Sequence, residues 1–170
     1  MANTYTLIEA KNLTSTTTSV TFTSIPATYT DLLLKVSART NITQVAWSLR
    51  TNFNSSTSNY TNRILTGSGS AASSGTESAP YAGAIPGANA TASTFSNTEL
   101  YIPNYTSSNY KSYSVDAVSE NNATEAYAQL IDGLWSDTTA ISSIKLELTG
   151  ATPNDFVAYS SFYLYGIKNS

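Results

Sequence analysis

The sequence predicts an all-β protein, an antiparallel β-sandwich of jelly-roll-like form with about nine or ten strands and one long Gly/Ser/Ala-rich loop. Three observations predict it. Apolar and polar residues alternate with a period of two along most of the chain, and a helical period almost never shows. Ser, Thr and Asn number 26, 26 and 15, together 67 of 170 residues, and there are 12 Tyr. These types favour strands, turns and contact surfaces over helices. Turn residues separate the alternating segments at regular intervals, the spacing of a sandwich, jelly roll or barrel.

Taken in order, residues 5–13 form the first strand candidate. Residues 19–25 follow, with Val20 and Phe22 on one face and Thr21 and Thr23 on the other. Over 31–39, Leu32, Leu34, Val36 and Ala38 point inward while Lys35, Ser37 and Arg39 point outward. Residues 45–53 repeat this, with Val45, Trp47, Leu49 and Phe53 set against Ser48 and Arg50; 62–66 is a shorter and weaker segment. Further strands are expected at 98–103, 110–120, 126–135, 141–149 and 158–167. Residues 121–131 contain Ala, Glu and Gln that would tolerate a helix. They read better as a turn at Asn121-Asn122 followed by a strand. Trp47 and Trp135 both sit on inward faces and are expected in the core.

Residues 67–96 break the regular spacing. They are rich in Gly, Ser and Ala, carry Pro80 and Pro86, and hold few large apolar groups. A surface loop is one reading. The other is a contact arm toward a neighbouring subunit, with Tyr81 and Ile85 as its anchors. At 170 residues, the whole of 1–170 is expected to form a single domain with 67–96 inside it.

Composition excludes several classes of chemistry. Charged residues are 11% of the chain, against about 25% in an average globular protein. The formal net charge is −3, and eight Lys and Arg are scattered rather than clustered, so no nucleic-acid partner is expected. No apolar run reaches the length of a membrane span, and the N-terminal residues lack the basic and apolar regions of a secretory signal. The chain is therefore expected to be made, and to be soluble, in a cytoplasm. It has no Cys and no His. That removes disulfides, thiolate metal sites and the Ser–His nucleophile, and no metal or cofactor is expected. Ser142 precedes Lys145 by three residues, but on a strand the two face opposite sides. Glycoside hydrolysis needs only two carboxylates, and Asp116 and Glu120 would share one strand face. With 11 acidic residues such a pair arises readily by chance, and no enzyme is expected. Seven Asn-x-Ser/Thr triplets follow from composition alone and carry no assignment.

Tyrosine carries more information. Tyr101, Tyr105, Tyr110 and Tyr113 lie close together, and Tyr159, Tyr163 and Tyr165 crowd the last strand. Phe162 and Leu164 claim one face of that strand, which puts Tyr163 and Tyr165 on the other with Ile167. Two readings stand: a strand buried on both sides, or a subunit interface that uses Tyr for large contact area at low entropy cost. On the second reading, Tyr163 and Tyr165 join Tyr81 and Ile85 as contacts.

Three blocks of the chain resemble small structural proteins of marine tailed bacteriophages, cyanophages included. They are Phe22-Thr-Ser-Ile-Pro-Ala-Thr-Tyr-Thr-Asp-Leu-Leu-Leu34, Glu99-Leu-Tyr-Ile-Pro-Asn-Tyr-Thr-Ser-Ser-Asn-Tyr-Lys111 and Leu164-Tyr-Gly-Ile-Lys168. The resemblance implies a non-enzymatic virion protein with a β-sandwich, and it brings no catalytic residues. One compact sandwich leaves no room for the elongated shaft of a tail fibre. The first expectation is therefore a capsid decoration, or cement, protein on the outside of the head lattice, whose partners are the major capsid protein and further copies of itself in a homotrimer. The alternative is the receptor-binding tip of a tail fibre or spike that contacts host surface glycan. A glycan-cleaving enzyme is the third and weakest reading.

Overall fold

The computed structural model describes residues 4–122, 125–148, 150 and 154–168. No helix occurs among them. The described residues form twelve strands: β1 Tyr5–Asn12, β2 Ser19–Phe22, β3 Asp31–Ser37, β4 Ala46–Phe53, β5 Tyr60–Gly67, β6 Ala72–Glu77, β7 Tyr81–Pro86, β8 Asn97–Ile102, β9 Lys111–Ser119, β10 Tyr127–Trp135, β11 Ile144–Leu148 and β12 Ser161–Ile167. An eight-stranded sheet, ordered β1-β12-β3-β8-β9-β10-β5-β6, packs against a four-stranded sheet, ordered β2-β11-β4-β7. Every strand pairing is antiparallel. The fold is a β-sandwich with unequal layers.

Period-two alternation fixes which face of each strand is buried. Along β9 and β10 the buried positions alternate almost without a break. Val115, Ala117, Ile131 and Trp135 face the small sheet, whereas Ser114, Asp116, Leu130 and Asp132 face out. Phe162 and Leu164 are fully buried on β12, as are Leu32 and Leu34 on the neighbouring β3. The centre of the core is aromatic: the Phe53 ring meets Tyr113 edge-on at 5.3 Å and Trp135 at 5.7 Å. Edge-to-face contacts of this kind match the ring quadrupoles. Tyr113 lies flat over Gly133, where an added Cβ would fall 2.1 Å from its Cζ. Only glycine permits that approach.

Residues 67–96 depart from expectation. They are not a single loop: they hold two of the twelve strands, β6 and β7. β6 pairs with β5 from Asn62↔Glu77 to Gly67↔Ala72, closing a hairpin that ends the large sheet. β7 pairs with β4, and all six of its residues are buried. Small side chains explain both the buried strand and its missing signal. Gly83 has φ +96° and lies where a Cβ would meet Ala117 Cβ at 2.4 Å, so the Ala82-Gly83-Ala84 centre of this strand packs closely on β9 between the two large buried side chains, Tyr81 and Ile85. The stretch after β7 is held by Arg39, whose guanidinium donates to the carbonyls of Thr91 (2.8 Å), Ala90 (3.0 Å) and Thr94 (3.1 Å).

Other boundaries shift by one to three residues, as strand ends usually do. The weak candidate at 62–66 becomes the full eight-residue β5. Thr149, expected at the end of the strand that is now β11, lies outside the described residues.

Candidate functional site

Strand register places the expected contact residues on definite surfaces. Tyr163 pairs with Lys35 and Tyr165 with Leu33, so both tyrosines lie on the outer face of the large sheet. The Tyr163 hydroxyl donates to Asn12 Oδ1 at 2.8 Å. Tyr165 joins Tyr5, Lys35 and Glu99 around Leu33, which is buried although it points away from the core. Lys35 and Glu99 form a 2.8 Å ion pair on this face. Both tyrosines are partly buried rather than free.

Tyr81 and Ile85 are a correction. They are 6% and 0% exposed, so the chain's own core consumes the two residues expected to anchor an arm. The tyrosine group divides too. Tyr105 and Tyr113 belong to the core, while Tyr110 and Tyr159 are exposed. Trp135 is fully buried, but Trp47 is only partly buried and packs at the margin of the core.

Asp116 and Glu120, the two carboxylates that share a strand face in the sequence, do not line a common cleft among the described residues. Asp116 lies on the open outer face, opposite Glu99 and Leu130. Glu120 lies past the end of β9, where its Oε1 accepts from the Asn122 amide. Among the described residues, no group of three His, Cys, Asp or Glu converges to hold a metal.

Two features that the sequence did not single out stand out in three dimensions. The first is the outer face over β9, β10, β5 and β6. Leu130 pairs with Leu65 there, and the two are 58% and 52% exposed. They border a groove of about 630 Å³, floored by β10 and β5 and walled by Ser74, Gly75 and Thr76 of β6. The same outer face carries Leu7, half exposed, at its opposite margin, where Leu7 pairs with Tyr165.

The second is a cleft of about 390 Å³ at the mouth of the sandwich, where β4 and β7 part from β5 and β10. Trp47, Ser48, Thr66, Glu125, Tyr127 and Gln129 contribute to its walls. The Gln129 amide is held on three sides. Its Oε1 accepts from the Tyr81 hydroxyl (3.0 Å) and the Ala84 amide (2.9 Å), and its Nε2 donates to Thr66 Oγ1 (3.1 Å). The Tyr127 hydroxyl donates to Glu125 Oε1, and that bond pushes the phenol up to about 12.

No known protein family, curated protein or solved structure matches the chain.

Proposed function

We propose that the chain is a non-enzymatic structural protein of a bacteriophage virion, a cement protein that decorates the outside of the head lattice and self-associates as a trimer. One structural observation carries the reading: Leu65 and Leu130 stand more than half exposed, side by side, on the outer face of the large sheet. Large apolar side chains grouped on a solvent face mark interaction surfaces. The likeness of residues 22–34, 99–111 and 164–168 to structural proteins of tailed phages supplies the partner. A trimer that presents three such faces gains avidity when the target repeats, as a capsid lattice does.

The test is solution mass by light scattering, followed by titration onto undecorated heads. A trimer that saturates heads at a fixed ratio is expected. Leu65→Thr with Leu130→Thr is expected to abolish that binding with little change in thermal midpoint, because both side chains face solvent and Thr suits a strand. A protein that ignores heads and sticks to host cells overturns the reading in favour of an attachment tip.

A further inference from the structure

We infer that the cleft at the mouth of the sandwich binds a neutral saccharide, a single pyranose unit of a glycan, with its ring against Tyr127 and Trp47. A pyranose has an apolar C–H face and a rim of hydroxyls. Its site therefore needs an aromatic surface with hydrogen-bonding groups at the margin. Tyr and Trp supply such amphipathic surfaces. Here Tyr127 and Trp47 come from opposite sheets and line one opening with Ser48, Thr66, Glu125 and Gln129. The volume of about 390 Å³ lies within the ~300–1,000 Å³ range of small-molecule sites.

The polar groups suit hydroxyls, which donate and accept together. Glu125 accepts, the Ser48 and Thr66 hydroxyls do both, and Gln129 Nε2 has two N–H groups of which one goes to Thr66. The clamp on Gln129 from Tyr81 and Ala84 fixes the amide before any ligand arrives. Preorganisation of that kind lowers the ordering cost of binding. Among the described residues no Lys or Arg lines the cleft, and Glu125 stands at its margin. Acidic sugars are therefore disfavoured, and the ligand class is neutral. This cleft lies between the sheets, away from the docking face with Leu65 and Leu130, so either can fail without the other.

The full chain would be titrated with the methyl glycosides of glucose, galactose and N-acetylglucosamine, and with methyl glucuronide, followed by saturation-transfer NMR. At least one neutral glycoside is expected to bind with millimolar affinity. Tyr127→Ala is expected to weaken that binding by about tenfold or more. The glucuronide is expected to bind more weakly than the neutral sugars. If Tyr127→Ala lowers the thermal midpoint, Glu125→Gln serves in its place, because that side chain is exposed. Absence of transfer to all three neutral glycosides, unchanged affinity in the variant, or a preference for the glucuronide would each overturn the assignment.

Discussion

Gln129 and Tyr81 join the two sheets: the Tyr81 hydroxyl on β7 donates to Gln129 Oε1 on β10 at 3.0 Å, in the buried layer between them. The same oxygen accepts the Ala84 amide. β7 is the edge strand of the small sheet. One amide therefore satisfies two buried donors on an edge strand that lies wholly in the core.

Gln129→Leu keeps the volume and strands both donors. Leaving a buried donor unpaired costs about 1–3 kcal/mol, so the variant is expected to lose at least that much stability. Urea unfolding measures it through the shift in midpoint. A loss below about 0.5 kcal/mol would mean that water or a rearranged neighbour satisfies Tyr81 and Ala84.

Alkali is expected to unfold the protein. Burial raises the Tyr60 and Tyr113 hydroxyls well above the ordinary phenol value of 10.0, and raises Tyr81 as well. Above pH 10 the unfolded chain releases these protons and the folded chain keeps them. Folded protein then binds more protons, and stability falls as pH rises. Below pH 10 these groups leave stability unchanged. Above it, each fully retained proton steepens the loss by about 1.4 kcal/mol per pH unit. Absorbance of ionised tyrosine, followed together with circular dichroism, tests this. The buried tyrosines should ionise only as the strands melt, and gradual ionisation with the fold intact would contradict it.

Tyr159 combines a φ of +71° with 85% exposure. Left-handed backbone costs a bulky L-residue roughly 1–2 kcal/mol. The side chain gains no burial in return. Tyr159→Gly is expected to raise stability by up to about 1 kcal/mol, less the entropy that glycine loses on folding. Differential scanning calorimetry would show the rise, and a drop in midpoint would show that the ring packs on something in solution. Strain kept at an exposed aromatic is consistent with use at a contact.

Legibility in the sequence followed side-chain size. Strands with large alternating groups, such as Leu32/Leu34/Val36 and Phe162/Leu164, show their buried faces directly, and the structure buries those residues. β6 and β7 were hidden because Ala, Ser and Gly give no apolar period: β6 is exposed on both faces and β7 is buried throughout. Such strands are defined by neighbours distant in sequence, as Gly83 is by Ala117. Tyrosine misled for a different reason. Its ring suits a core and its hydroxyl suits a surface, so Tyr113 and Tyr110 read alike although one is buried against Phe53 and the other is exposed. Trp47 shows the same ambiguity. The cleft it lines could not be read in advance, because it needs the register of four strands.

The position of β12 has a consequence for biogenesis. This strand lies between β1 and β3, paired to both along its length. Until residues 161–167 leave the ribosome, β1 has no place in the large sheet and β3 keeps an open edge. Vectorial, piecewise maturation is closed to such a topology. From the synthesis of β1 until β12 has emerged, the nascent chain must carry unpaired strand edges, and β12 then joins β1 to β3 in one step. Long-range closure of this kind is intrinsically slow, on the order of milliseconds to seconds for β-sandwiches. Its hazard is association of unfinished chains through those same edges.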